Sequence, residues 1–186
     1  MTGKTVQNSG NSVLSTSYAY RDIDAEHTTT QVSSLTSTFG GNTVSHSYTY
    51  DANGNILSDG STTYAYDSLN QLVWEYNTAA GKAWNYAYDL GGNILSKTGY
   101  DYTDGQTSNP VTVSYTYGDA VWRDLLTAYN GEAITYDGIG NPTSYRGWGM
   151  TWQGGRQLAS MQKDGTTLSF SYNDAGLRTE KTVNGS

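Results

Sequence analysis

The sequence predicts an all-β protein in which antiparallel β-hairpins follow one another as an array. Composition gives the first indication: Leu, Ile, Val and Phe supply only 28 of the 186 residues, whereas there are 17 Tyr and 5 Trp. Tyr and Thr favour strands, and the 22 Gly favour tight turns. A short motif that recurs along most of the chain gives the second indication.

Composition and charge exclude several classes of protein. The net charge is −7 and charged residues make up 15%, which fits neither a disordered chain nor a nucleic-acid-binding protein. There is no Cys, so disulfides, thiolate metal sites and Cys nucleophiles are excluded. No apolar run is long enough for a membrane span. The N-terminal residues lack the basic and apolar segments of a signal peptide, so none is expected.

The recurring motif is an aromatic-x-aromatic pair, then a polar residue that is usually Asp, and three residues later Gly or Asn. Near-complete copies contain Tyr48, Tyr50, Asp51 and Gly54; Tyr64, Tyr66, Asp67 and Asn70; and Tyr86, Tyr88, Asp89 and Gly92. Shorter or drifted copies contain Tyr136, Asp137 and Gly140; Trp152 and Gly155; and Tyr172 and Gly176. Two further copies open at Tyr18-Ala-Tyr20 and at Tyr115-Thr-Tyr117.

Each copy of the motif predicts one hairpin. Alternation along a strand places both aromatic rings on the same face. The Asp that follows can accept a hydrogen bond from the backbone two residues on. Gly and Asn share the next motif position, and these residues tolerate a positive φ at low cost. We therefore expect a left-handed backbone at Gly54, Asn70, Gly92, Gly140 and Gly176.

In chain order, we expect a loose segment over residues 1–17 and one continuous repeat domain over 18–184. Weaker strands over 31–39 and 43–50 are joined through Gly40-Gly41-Asn42. Irregular insertions are expected near 100–110 and 118–131, the second with one helical turn at 120–125. About seven hairpins would give about 14 strands. Because strands twist, one long sheet of that size is expected to coil into a spiral, a partial barrel or a shell.

The Tyr-x-Tyr-Asp copies, each followed by a short spacer, Gly-Asn and an aliphatic residue, resemble the YD repeat of the Rhs family. Residues 115–144 are similar to Rhs-type surface or wall-associated proteins of Gram-positive bacteria, and the resemblance covers roughly 18–184. It implies hairpins that add side by side into a strip, which coils into a shell or barrel. In bacterial toxin systems that shell encloses a C-terminal toxic segment, and in animal relatives it forms an adhesion-receptor ectodomain.

The resemblance also implies an extracellular or cell-surface location and repeats that are not catalytic. The chain differs from the full family pattern in having fewer hairpins and no toxin segment after Ser186. It also lacks the Asp-Pro-x-Gly block at which family members cleave themselves. These differences indicate a fragment or a short stand-alone array.

The side chains with catalytic potential favour structural roles. The Asp residues at equivalent turn positions are interpreted as turn formers rather than an acid/base or metal row. Residues 51–55 resemble the start of a calcium loop, but position 12 is Thr62 instead of Glu. His27 and His46 lie in Ser/Thr-rich strands without convergent partners. No catalytic residue, cofactor or metal is expected.

The aromatic residues are interpreted in two ways. The Tyr-x-Tyr pairs are interpreted as the core of an aliphatic-poor sheet. Trp74, Trp84 and Trp122 lie outside the repeat frame and are the candidates for a ligand or partner surface.

The sequence thus favours a non-enzymatic structural repeat module of a bacterial surface or secreted toxin-associated protein. Its sheet would form part of a wall that encloses or presents cargo of the parent chain, beside neighbouring repeats. Two alternatives stay open. One is a module that binds carbohydrate or a surface receptor; the other is a fibre subunit that self-associates through its sheet edges. Neither nucleic acid nor a membrane span is expected.

Overall fold

The computed structural model describes residues 2–8 and 11–186, and its 19 strands confirm the all-β prediction. Over these described residues the strands form antiparallel hairpins, but they belong to three sheets instead of one. The first sheet contains, in chain order, β1 (Gly3–Asn8), β2 (Asn11–Asp22), β3 (Thr28–Phe39) and β4 (Asn42–Ser47).

The other two sheets also keep the order of the chain. The second contains β5 (Thr49–Tyr50), β6 (Ile56–Ser58), β7 (Thr62–Tyr66), β8 (Leu72–Asn77), β9 (Lys82–Tyr88), β10 (Ile94–Thr103), β11 (Gln106–Thr116), β12 (Ala128–Tyr129) and β13 (Glu132–Ala133). The third contains β14 (Thr135–Tyr136), β15 (Pro142–Tyr145), β16 (Trp148–Gln153), β17 (Gln157–Lys163), β18 (Thr166–Tyr172) and β19 (Arg178–Val183).

The sheets are separated along the chain by single residues, Tyr48 and Ile134. The N–H of Tyr48 still donates to the carbonyl of Ser33 on β3 at 2.9 Å, and that of Ile134 donates to Thr127 at 2.9 Å. Tyr48 and Ile134 therefore still form backbone hydrogen bonds, although the regular strand pairing stops at each of these residues.

Contacts divide the chain into two compact units, where the sequence predicts one domain. The first unit comprises Met1–Ala87 and Lys97–Thr112, and the second comprises Tyr88–Ser96 and Val113–Ser186. Strands β10 and β11 contribute residues to both units.

Segments expected to be loose or irregular are more ordered than their sequence suggests. Within residues 1–17, β1 pairs with β2 from Gly3 opposite Ser17 onward. Residues 100–110 lie in the long β10–β11 hairpin, because Asp104 and Gly105 both have positive φ angles, 53° and 79°, as a two-residue hairpin turn requires. In 118–131 the expected helical turn is a single reverse turn, in which Leu125 N–H donates to the carbonyl of Trp122.

The hydrophobic core is thin. Among the described residues, the buried ones are Ala83, Ile134, Phe170, Thr62 and Asn141, and no large side chain is fully buried. The repeat tyrosines are half-buried, so part of each side chain remains exposed. Within the described part of the chain, no helix is long and apolar enough to cross a membrane.

Candidate functional site

The repeated turn is a five-residue loop closed by its first side chain, as residues 51–55 show. Asp51 Oδ1 accepts hydrogen bonds from the backbone N–H of Asn53 at 2.9 Å and of Asn55 at 2.8 Å. Asp51 Oδ2 accepts from Asn55 Nδ2 at 2.8 Å. The Gly54 N–H donates to the Asp51 carbonyl at 3.2 Å. We call this arrangement an Asx loop.

The same loop recurs four more times. At Asp67, Asp89, Asp137 and Asn173 the first side chain also accepts from the backbone two and four residues on, at 2.8 to 3.1 Å, in the loops 67–71, 89–93, 137–141 and 173–177. The fourth residue of every loop has the predicted left-handed backbone: Gly54 (φ 89°), Asn70 (62°), Gly92 (88°), Gly140 (83°) and Gly176 (74°).

These hydrogen bonds explain the electrostatics of the loop carboxylates. The side-chain amides of Asn55 and Asn93 lower the pKa of Asp51 and of Asp89, with backbone N–H groups adding to the effect. For Asp137 the backbone N–H of Asn141 is the largest cause of the lowered pKa. Each carboxylate is thus held ionised by its own loop. Both oxygens of Asp51 accept hydrogen bonds from within residues 51–55, which organise these residues as a turn.

Neighbouring loops are also connected through side-chain amides. Asn53 Nδ2 and Asn55 Nδ2 donate to Asn70 Oδ1 at 2.9 and 2.8 Å, which joins the first Asx loop to the second. In the second unit, Asn141 Nδ2 donates to the carbonyl of Gly155 at 2.7 Å. The loops therefore support one another laterally.

The second aromatic residue of the motif forms a bond to the preceding hairpin that the sequence did not predict. Tyr66 donates its hydroxyl to the carbonyl of Ile56 at 2.9 Å, and Ile56 is the first residue after the preceding Asx loop. Three further side chains donate to a carbonyl at the same position of the preceding hairpin: Tyr117 to Ile94 (3.2 Å), Trp152 to Pro142 (2.7 Å) and Tyr172 to Leu158 (3.1 Å). Tyr50 and Tyr136 donate to Val32 and Leu126, both at 2.7 Å. We call these bonds the inter-repeat bonds.

A signal for the inter-repeat bond exists in the sequence. In two copies the first position of the aromatic pair is occupied by Met150 and Phe170, whose side chains cannot donate a hydrogen bond. The second position is always Tyr or, at Trp152, an indole that keeps a donor. Burial raises the pKa of Tyr66, Tyr117 and Tyr136, so these hydroxyls keep their protons at neutral pH.

Aromatic rings pack together on one face of the first unit, in what we call the aromatic face. Trp74 stacks on Tyr76 with ring centroids 5.2 Å apart and lies 5.5 Å from Tyr100. Tyr76 also lies 5.3 Å from Tyr102. In the second unit Tyr129 contacts Tyr115 and Tyr145 edge-on, at 5.4 and 5.6 Å.

Two of the three candidate tryptophans, Trp74 and Trp84, do not share a face of the first unit. Trp84 pairs across the sheet with Glu75, the neighbour of Trp74, so Trp74 and Trp84 point to opposite faces. Trp122 belongs to the second unit and is 51% exposed. It lies against Gly140 and lines a cavity of about 610 Å³ together with Ile134 and Ile139.

Each of the two histidines contacts a side chain close to it in the sequence. His27 Nδ1 is 2.7 Å from Asp24 Oδ1 in the exposed loop between β2 and β3, whereas His46 on β4 stacks against Tyr48 at 6.4 Å. In the part of the chain that the structure describes, no group of three or more His, Cys, Asp and Glu is placed to hold a metal ion.

Comparison with solved structures finds a similar fold in a toxin. The fold resembles that of a chain in the structure of the Photorhabdus luminescens Tc holotoxin pore with a mutation in TccC3, with a TM-score of 0.59 and 18% sequence identity. The match covers 91% of this chain and 10% of that one, so the chain spans about a tenth of the toxin chain's length. No family model and no curated protein matches the sequence. At 18% identity the similarity shows the fold: an all-β array of antiparallel hairpins.

Proposed function

We propose that this chain is a non-catalytic structural module of a bacterial toxin-associated protein of the Rhs type, and that its YD repeats form a segment of wall. The observation that carries the proposal is the inter-repeat bond, which fastens successive hairpins along most of the chain. The carboxylates of Asp51, Asp89 and Asp137 are engaged in their own loops. The fold similarity to a Tc holotoxin chain supports the toxin association.

The aromatic face is the surface we assign to cargo. Its four rings are half-buried, and no large side chain among the described residues is fully buried. Aromatic rings that keep part of their area exposed retain the capacity to contact apolar groups of another polypeptide. A wall with this face would hold unfolded cargo of a longer parent chain, at the cell surface or outside the cell.

Binding of an unfolded polypeptide tests this function. The protein is titrated into fluorescein-labelled, reduced and carboxymethylated α-lactalbumin, and fluorescence anisotropy is measured. We expect saturable binding that Tyr76→Ser with Tyr100→Ser weakens by about tenfold, because two rings of the aromatic face are lost. Val44→Ser is the control, since Val44 is exposed and lies on β4, in a different sheet from the rings of the aromatic face.

Light scattering on the same samples separates cargo binding from self-assembly. A constant molar mass with rising anisotropy supports the wall segment. A molar mass that grows with protein concentration would favour the fibre subunit, whose association would use the terminal strands β1 and β19, each the end strand of its sheet. Unchanged anisotropy would contradict the cargo-holding function.

A further inference from the structure

A cleft of about 350 Å³ opens on the face opposite the aromatic face of the first unit. Its floor is Gly99, in the interior of β10, between Trp84 on β9 and Val111 on β11. Gly99 is not among the residues with positive φ, so its backbone does not require glycine. A glycine inside a strand marks a close approach by another group. Here the absence of a side chain at position 99 leaves the space that forms the cleft.

The wall on one side of this cleft is an indole edge. A Cβ at position 99 would lie 3.4 Å from Trp84 Nε1 and 3.5 Å from Trp84 Cδ1. A ligand that enters the gap therefore meets the indole N–H, a hydrogen-bond donor. Val111, which is 70% exposed, supplies an apolar wall on the other side.

Polar groups line the end of the cleft. Lys82 Nζ lies 2.6 Å from Asp101 Oδ1, and the two side chains are 51% and 45% exposed. Asn109 Nδ2 donates to Asp101 Oδ2 at 2.7 Å. Asn109 has a φ of 50° and precedes a proline, a combination that is sterically disfavoured. This backbone conformation keeps the Asn109 amide beside Asp101.

The charged residues that line the cleft, Lys82 and Asp101, form an ion pair. Lys82 and Asp101 neutralise each other, and the Lys97 ammonium is held 5.3 Å from the ring centroids of both Trp84 and Tyr86. A charged ligand would have to compete with these contacts. A neutral ligand that both donates and accepts hydrogen bonds, and that carries C–H groups for the indole and Val111 walls, complements the cleft better.

We propose that this cleft binds a neutral pyranose sugar. Vicinal hydroxyls accept from the Lys82 ammonium and the Asn109 amide N–H and donate to the Asp101 carboxylate, and the ring C–H groups contact Trp84 and Val111. A volume of about 350 Å³ suits one sugar ring with part of a second, within the range of about 300–1,000 Å³ of ligand pockets.

Nuclear magnetic resonance of the ¹⁵N-labelled protein tests the site directly. The probes are the methyl β-glycosides of D-glucose, D-galactose and N-acetyl-D-glucosamine. The 5 Trp give 5 indole N–H signals, and that of Trp84 is identified by its absence in Trp84→Phe. We expect a saturable shift of the Trp84 signal with at least one sugar, half-complete at about 1 mM in order of magnitude. Unshifted signals with all three sugars at about 50 mM, or a shift of another indole instead, would overturn the proposal.

Filling the cleft supplies the matched comparison. Gly99→Val places a side chain in the gap and should weaken binding by at least about tenfold, while Val remains favourable in a strand. Gly149→Val is the control, because its Cβ would meet only the Gln162 side chain, at 3.6 Å. Circular dichroism checks that both variants fold.

Asp101→Asn tests the same cleft without adding bulk and decides the matter if Gly99→Val does not fold. It removes the carboxylate that bonds Lys82 and Asn109, and a loss of about tenfold in affinity is expected. Affinity equal to that of the unmodified protein in Asp101→Asn, or in a folded Gly99→Val, refutes sugar binding at this cleft.

Discussion

At the scale of single residues, the Asp carboxylate and the hydroxyl of the second tyrosine bond to different parts of the chain. The Asp side chain closes its own loop, as Asp51 does with Asn53 and Asn55. The hydroxyl of the second tyrosine leaves its own hairpin and reaches the preceding one, as Tyr66 does with Ile56. Local folding therefore depends on the Asp, whereas the attachment of one hairpin to the next depends on the Tyr.

Removing one hydroxyl tests the inter-repeat bond. Tyr66→Phe removes the hydroxyl that donates to the carbonyl of the half-buried Ile56, and we expect the free energy of unfolding to fall by about 1 kcal/mol. Urea denaturation followed by circular dichroism measures the change. Tyr76→Phe is the control, since Tyr76 contacts Trp74 and Tyr102 through its ring, and a loss below about 0.5 kcal/mol is expected. Equal losses in the two variants would contradict a specific role for the Tyr66 hydroxyl.

At the scale of elements, the Asx loop requires a residue with a left-handed backbone at its fourth position. Gly140 combines a φ of 83° with the Trp122 ring, whose Cζ3 would lie 2.8 Å from an added Cβ. This glycine therefore serves both the backbone of its loop and the packing of the inserted segment 118–131.

Two glycines of one loop give a matched pair of substitutions. Gly140→Ala should lower the free energy of unfolding by at least about 1–2 kcal/mol, because alanine resists a left-handed backbone and its Cβ would displace Trp122. Gly138→Ala should change the free energy by less than about 0.5 kcal/mol, because Gly138 has no heavy atom within 4 Å of its Cβ position and no positive φ. Urea denaturation followed by tryptophan fluorescence measures both. A larger loss in Gly138→Ala than in Gly140→Ala would disprove this account of the loop.

The elements also show what the sequence can predict. The hairpins and the left-handed positions are predictable because Asp51 and Gly54 act within five consecutive residues. The division into three sheets is not, because Tyr48 and Ile134 look like ordinary strand residues and only the partner strand changes there. The cleft at Gly99 is unpredictable for a similar reason, since Trp84, Gly99 and Val111 become neighbours only through strand pairing.

At the scale of the whole molecule, a thin core places much of the stability in polar contacts repeated along the chain. The folded-state pKa values of Asp51, Asp89 and Asp137 lie below the ordinary value of 3.8. Their contribution to stability is therefore complete above about pH 5, and it is lost as the pH falls through the ordinary value toward the lowered ones.

Acid denaturation tests this dependence. A variant with Asp51→Asn, Asp89→Asn and Asp137→Asn should keep its loops, because Asn173 closes the same loop with an amide oxygen. Between about pH 5 and about pH 3 its urea midpoint should fall less than that of the unmodified protein. Equal slopes in the two proteins would show that the loop carboxylates do not govern acid stability.

The inter-repeat bond also has a consequence for how such a protein can be lengthened or rearranged in evolution. In each such bond the donor is a defined side chain, whereas the acceptor is a main-chain carbonyl, at Ile56, Ile94, Pro142 or Leu158. Because every amino acid carries that carbonyl, a hairpin can follow almost any other hairpin without a matching change in its predecessor. Duplication, deletion or recombination of whole repeats would therefore leave a donor and an acceptor for this bond at each new junction.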